Sequence, residues 1–362
     1  MEVNDLLYVN EDFIIEEGRL VKYSGNDLHI NVPSGITCIG EEAFKNCKMK
    51  SVFISNGVKE IETAAFANCI FLDSVSIPKS VKSIEGFAFD NCKSLKHIEL
   101  EEGLENILNA AFSRCKNLES IQIPNSILFI LETFEDCTKL NYNKFDNGLY
   151  LGNETNPYFL FVKTVDKDIT SCIINQNTKY IGDYAFKDCK SLESIIIPST
   201  VEFIGNLVFK GCENLRKIHF PPTCNLGWDN FEDCTKLNYS KFDNGLYLGD
   251  EANPYHTLIA AKDKDIKSCK LHSQTKQIYF CAFEDCVELE KIIIPKTVTY
   301  IMDCAFLRCY SLNVYYELGM DSKDIFWMHR RYIQDVYYFS EAKPNNNDRI
   351  YWHYVDGIEK KW

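Results

Sequence analysis

The residues best equipped for chemistry are cysteines. The 362-residue chain holds 16, and ten of them stand three residues after a phenylalanine: Cys47, Cys69, Cys92, Cys115, Cys137, Cys189, Cys212, Cys234, Cys286 and Cys309. Thiols can pair as disulfides, hold zinc or act as nucleophiles, and each use demands its own geometry. Cys281 and Cys304 add two more in "CAFEDC" and "CAFLRC", which puts four thiols on two neighbouring segments. Their C-x₄-C spacing is not the C-x₂-C of structural zinc sites. The seven histidines are scattered, with no H-E-x-x-H. "FEDC" recurs with the pairs Glu135/Asp136, Glu232/Asp233 and Glu284/Asp285. Paired carboxylates can do acid–base work only across a cleft; repeated at a turn they read as solvated charges. No phosphate loop, nucleophile elbow or dinucleotide fingerprint is present. No catalytic residue, metal or cofactor is therefore expected.

What positions the thiols is a repeat. The phenylalanines fall at 44, 66, 89, 112, 134, 186, 209, 231, 283 and 306, mostly 22 or 23 residues apart, with two steps of 52. Ile lies five residues before the Phe in eight cases, and ahead of it comes a short alternating stretch ending in Pro, as in "SVSIP", "SIQIP", "SIIIP" and "KIIIP". Alternation has strand period, and proline ends a ladder because it has no N–H to donate. "EGFAFDNC" reads as a short helical or 3₁₀ turn that drops Ala88, Phe89 and Cys92 inward. One such coil cannot bury its apolar edge alone, but stacked coils can. In a parallel stack equivalent residues sit about 5 Å apart on adjacent strands, but translated copies point the same way, whereas a disulfide needs Cβ atoms that approach each other. The ten cysteines therefore read as wall filling: small apolar groups with a weak S–H donor. Cys172 and Cys269 take a strand core position. A Cys281–Cys304 bridge and a zinc site remain the competing readings.

Each 52-residue step divides as 23 + 29. The extra unit, "LNYNKFDNGLYLGNETNPYFLFVKTVDKD", returns almost verbatim 97 residues on as "LNYSKFDNGLYLGDEANPYHTLIAAKDKD". Each reads as a hairpin about Asn147-Gly148 or Asn244-Gly245. "FIIEEGRLVKYSGNDLHINVP" resembles a shorter version. Beyond Cys309, residues Asp321–Gln334 suggest a helix capped by Asp321, with an apolar face through Ile325, Met328 and Tyr332. "DVYYFSEAKP" reads as a strand, and "IYWHYVDGIEKKW" as a hairpin about Asp356-Gly357.

The formal charge of -13 disfavours nucleic acid and anionic lipid surfaces. No apolar run reaches the roughly 18 residues of a membrane span. "MEVNDLLYVNEDFIIEEG" has no basic n-region, apolar h-region or small-residue cleavage site, which fits a chain kept in the cytosol or one whose signal was removed.

The pattern LxxIxIPxxVxxIGxxAFxxC resembles the BspA-like, treponemal type of leucine-rich repeat from Phe44 to Cys309, and "YWHYVDGIEKKW" resembles the end module that follows such repeats. The resemblance implies a bacterial surface or secreted setting and adhesion to host matrix proteins or other bacteria. The expected fold is an α/β repeat solenoid: a right-handed leucine-rich-repeat stack with parallel strands on one face, short helical or 3₁₀ turns opposite and two hairpin variant coils. Its expected parts are an N-terminal hairpin cap (1–35), the solenoid (36–313, variant coils about 140–168 and 237–265) and a C-terminal cap (314–362). The expected function is non-enzymatic protein recognition by a monomer, through outward strand positions Phe53, His97, Glu99, Gln122, Ile196, His219 and Ile293. The alternatives are an intracellular scaffold, which suits the thiols, and an enzyme using a polar cluster of Arg330, Arg331, His353 and Asp356. If the cysteines are wall residues, a thiol reagent counts all 16 after denaturation without reductant; a lower count would establish a bridge.

Overall fold

The computed structural model describes residues 12–131, 133–221, 223–317, 335–339, 350–355 and 358–361. The fold divides into two compact units. One is Met1–Lys167 with Cys172–Lys187 and Thr200–Phe209; the other is Asp168–Ser171 with Asp188–Ser199 and Lys210–Trp362. Each is a parallel-strand β-solenoid of leucine-rich-repeat type.

In the first unit the hairpin Phe13–Glu16/Arg19–Tyr23 starts the stack, and Arg19–Tyr23 pairs in parallel with Cys38–Ile39. His29–Asn31, which the sequence reading grouped with that hairpin, is already a strand of the coil face. It pairs in parallel with Ser51–Phe53, which pairs with Ser74–Ser76. The position five residues before the Phe also lies in a strand. Cys38–Ile39, Glu60–Ile61, Ser83–Ile84, Asn106–Ile107 and Phe129–Ile130 form a second parallel ladder. These pieces are only two residues long, too short to show the period that marks a strand in sequence.

The turns are not helical. Among the described residues no helix forms, and the reason lies in two backbone positions per coil. Residues two before and two after the Phe adopt positive φ: Glu42 and Asn46, Ala64 and Asn68, Phe87 and Asn91, Ala110 and Arg114. A left-handed residue ends a right-handed helical turn. The resulting bonding alternates. The N–H groups of Glu42, Phe44 and Asn46 donate to the Thr63, Ala65 and Ala67 carbonyls of the next coil, while those of Ala43, Lys45 and Cys47 close turns within their own coil.

The Phe rings stack in a column. Phe44–Phe66 and Phe66–Phe89 have centroids 4.9 Å apart and planes within 5°; Phe89–Phe112 is at 5.3 Å and Phe112–Phe134 at 6.0 Å. The variant coil then inserts a meander, Asn143–Phe145, Gly148–Leu151 and Leu160–Thr164, whose last strand pairs in parallel with Tyr180–Ile181. The column resumes with Phe161–Phe186 at 4.8 Å. The expected hairpin exists, but its turn lies one residue earlier than Asn147-Gly148. Phe145 pairs with Gly148, so Asp146 and Asn147 form the loop, with Asp146 at positive φ. Gly148 sits in the strand because a Cβ there would meet the Tyr150 ring at 2.5 Å and the Phe161 ring at 2.7 Å.

In the second unit Ser194–Ile196 pairs in parallel with Lys217–His219. The second meander, Ser240–Phe242, Gly245–Leu248 and Thr257–Ala261, pairs in parallel with Gln277–Ile278. Its turn is likewise Asp243-Asn244, with Asp243 at positive φ. The face strands Ser268–Lys270, Lys291–Ile294 and Asn313–Tyr316 continue into Asp335–Phe339 and Ile350–Val355, and Ile358–Lys361 closes the sheet antiparallel. The expected strand and hairpin beyond Cys309 thus extend the coil sheet; the expected helix Asp321–Gln334 lies outside the described residues. The packed column predicts that Phe89→Ala costs about 3–5 kcal/mol, whereas Phe87→Ala, two residues away and half exposed, costs under about 0.5 kcal/mol. Urea unfolding of both variants measures the difference, and equal losses would refute the column as the main support.

Candidate functional site

The cysteines resolve first. All sixteen are thiols. Those of the repeat line the core beside the Phe column, and several do one specific job. The Cys69 thiol donates to the Phe44 carbonyl of the preceding coil at 3.0 Å. Cys92, Cys115 and Cys137 reach Phe66, Phe89 and Phe112 at 3.2, 3.2 and 3.1 Å, and Cys309 reaches Phe283 at 3.0 Å. A cysteine here fills a small apolar space and partners a buried carbonyl. Cys281 and Cys304 instead occupy the positive-φ position two before the Phe and are half-buried. Cys286 and Cys309 sit in the buried column, so the four thiols serve two different positions and do not converge as a zinc site requires.

The "FEDC" acids also have a backbone role. Asp136, Asp233 and Asp285 are the positive-φ residues two after the Phe, where Asp and Asn are better tolerated than most residues. These three side chains are exposed, and Asp285 and the neighbouring Glu232 and Glu284 are paired along the stack. Arg308 bonds Asp285 and also Glu284, the latter at 2.9 Å; Lys210 meets Glu232 at 2.7 Å. Arg114 clasps Asp90 in the same way, with Nε to Oδ1 at 2.8 Å.

Among the described residues one group of metal-ligand type converges. Cys38, Glu60 and Glu62 place their ligand atoms within 4.8 Å of one another. Glu62 is already engaged: it pairs with Arg19, accepts the Cys38 thiol at 3.0 Å and accepts the Glu41 N–H at 2.9 Å. Burial, then the bond to Glu62, pushes the Cys38 thiol up to about 12. As the group stands, with Glu62 held by Arg19, Cys38 and the Glu41 N–H, it is an ion-pair and hydrogen-bond cluster.

The outward strand positions stand as the sequence places them. In the first unit Phe53 is 55% exposed, beside Asn31 and Ser76, and Ser76 bridges to Glu99. The His97 Nδ1 lies 2.8 Å from the Ser120 Oγ. Two strands of the face separate Phe53 from Gln122, so these residues make a row rather than a cluster. In the second unit Ile196 and His219 are direct register partners, and Ile196 is 71% exposed. Ile293 is paired with Tyr315, whose ring lies 5.2 Å from the Lys291 Nζ.

Sequence reasoning missed the loops beside this face. After Gly148–Leu151 the chain turns at Asn153, whose Oδ1 accepts the Thr155 and Asn156 N–H groups at 2.9 Å, while its Nδ2 donates to the Ile123 carbonyl at 2.8 Å. The loop and the strand residues Ser120 and Gln122 line one groove. Its counterpart, Asp250 to Ala252, lines a second with Ser194, Ile196, Lys217 and His219. The signals were "GNETNP" and "GDEANP", loop residues quoted inside the inserts whose direction only the fold supplies. Of the residues in the enzyme alternative, His353 is half-buried in Ile350–Val355, and Arg330, Arg331 and Asp356 lie outside the described residues. No helix among the described residues is long and apolar enough to cross a membrane.

Burial pushes the thiols of Cys69, Cys137, Cys234 and Cys309 up to about 12, against about 8.5 in an unfolded chain. Above that lower value the unfolded chain releases protons that the folded chain keeps. Stability is therefore full below about pH 8.5 and is lost as pH rises toward the folded values. Urea midpoints measured under reductant should be level from about pH 7 to 8 and clearly lower by about pH 10; a midpoint unchanged at the higher pH would contradict a buried thiol column.

The BspA type leucine rich repeat region matches residues 22–151, 160–253 and 260–319, in six copies. Among solved structures, a leucine-rich repeat protein from Bacteroides ovatus is similar at 24% identity and TM-score 0.36, over 86% of this chain and 84% of that one. The T. pallidum leucine rich repeat protein is similar at 22% and 0.34, over 61% and 82%. A leucine rich cell surface protein from Faecalibacterium prausnitzii is similar at 23% and 0.31, over 88% and 96%. No curated protein matches the chain. With repeat matches spanning most of its length, the chain belongs to the BspA-type leucine-rich repeat family.

Proposed function

We propose that the chain is a non-enzymatic protein-recognition solenoid that acts as a monomer through its outward strand face, in the setting of a bacterial surface or secreted adhesion protein. The observation that carries this reading is Ile196. It stands 71% exposed at the end of the strand Ser194–Ile196, beside His219 and Lys217, with Asp250 and Glu251 across a groove. An apolar side chain ringed by charges of both signs is the composition of a small contact centre with a polar rim. Phe53, His97, Glu99, Gln122 and Ile293 add contacts of the same kind along the face. A second reading, an intracellular scaffold, is favoured by sixteen thiols in no disulfide. Cell fractionation separates the two, since a purely cytosolic location excludes adhesion.

Affinity capture from native lysate and from host matrix extracts, run with the wild type and with Ile196→Asp and Phe53→Asp, tests the face. Both side chains are exposed, so stability should shift by no more than about 0.5 kcal/mol. Partners held by the wild type should fall at least about tenfold in one variant or the other, the loss of a contact worth about 1.4 kcal/mol. Unchanged capture by both variants would overturn recognition through this face.

A further inference from the structure

The 97-residue duplication builds the same interruption twice, and the two are closed differently. At each, the variant coil lacks the Phe-Cys turn, so the Phe column loses a step. At the second, Tyr279 reaches back to fill the gap. It is 4% exposed, and its ring lies 5.9 Å from that of Phe231. Its hydroxyl donates to the Gly227 carbonyl at 2.6 Å and accepts the Asn230 N–H at 2.9 Å. The turn offering these two groups is itself held by Asn230 Nδ2 on the Gly227 carbonyl, at 2.9 Å.

The first interruption carries a related turn bond, one residue shorter. Thr133 Oγ1 donates to the Leu131 carbonyl at 2.7 Å, immediately before Phe134 as Asn230 is before Phe231. The Thr133 N–H is thus the counterpart of the Asn230 N–H that holds the Tyr279 phenol. Among the described residues the Thr133 N–H has no recorded acceptor. The residue 97 positions before Tyr279 is Gly182. With no side chain there, a cavity of 480 Å³ stands open, lined by Ile130, Thr133, Phe134, Tyr142, Leu160 and Gly182. Tyr180 bridges this interruption elsewhere, its hydroxyl on the Ile127 and Leu128 carbonyls at 3.1 and 3.0 Å, and leaves the cavity empty of its ring. The rim carries both signs, Lys163 and Lys187 against Glu135, Asp136 and Asp183, so net charge is not what the site selects.

We propose that this cavity binds a phenol ring supplied from outside the chain. The ring packs on Phe134, and the hydroxyl accepts the Thr133 N–H. The para substituent leaves on the side of Gly182, where Tyr279 enters its own gap. The shared chemistry is a para-substituted phenol, whether a small molecule or a tyrosine side chain of another protein.

Titration of the full chain with p-cresol tests it. One saturable site is expected, with Kd about 0.1–1 mM for a ligand of this size, and toluene should bind about tenfold more weakly because it leaves the Thr133 N–H unpartnered. Gly182→Tyr should fill the cavity from within and abolish p-cresol binding while keeping the native circular dichroism. Independently of that variant, p-cresol should shift the Thr133 amide resonance and not that of Asn230. No saturation by about 10 mM, binding retained by a folded Gly182→Tyr protein, or an unmoved Thr133 amide would each overturn the proposal. N-acetyl-tyrosinamide as a parallel ligand identifies the source: binding matched to p-cresol points to a protein tyrosine, and binding of p-cresol alone to a small molecule. Neither result depends on the strand face.

Discussion

The structure depends on a backbone constraint that recurs in every regular coil. Two residues at positive φ, one on each side of the Phe, stop the turn from winding into a helix. They aim three alternate N–H groups at the following coil. The same geometry drops the Phe ring and the Cys thiol into the core at a spacing set by the coil height, so the ring column and the thiol column follow from the turn. Positions that take positive φ include Glu42, Ala64, Phe87, Leu207 and Tyr184 as well as Asn and Asp. Non-glycine residues in this region carry a local cost, and the ladder of bonds between coils offsets it.

That choice of residues explains what could be read beforehand. The period, the Phe-Cys phrase and the outward strand positions were legible because each is marked by a side chain whose burial repeats. The turn conformation was not. Ala64, Phe87 and Cys281 give no sign of a left-handed backbone, and "EGFAFDNC" has the composition of a helical turn. The short ladder through Ile61, Ile84 and Ile107 was hidden because two residues cannot show alternation. Asn147-Gly148 misplaced the hairpin turn because glycine can serve either loop freedom or close approach, and only the rings of Tyr150 and Phe161 over Gly148 decide between them. The outward strand positions, Phe53 to Gln122 in one unit and Ile196 to Ile293 in the other, could be written down from periodicity, but the loops at Asn153 and Asp250 could not, since a path such as that of Asn153 is set by its bond to Ile123 in the coil before.

The cysteines carry a lesson about repeated reactive residues. A thiol that recurs once per coil is buried in nearly every coil, and burial raises its pKa. The specific content of this chain lies where the repeat departs from itself: at Gly182 and Tyr279, one position in two copies, and at the loops beside the strand face.

The turn ladder also has a sense. Glu42, Phe44 and Asn46 donate forward and Thr63, Ala65 and Ala67 accept from behind, and the pattern continues through Phe87, Phe89 and Asn91 toward Asn109, Ala111 and Ser113. Peptide dipoles aligned in this way add rather than cancel. A run of regular coils is therefore an electrically directed column, its ladder carbonyls turned toward the start and its ladder N–H groups toward the end. Each variant coil interrupts the repeat that builds the column, so its direction is carried run by run.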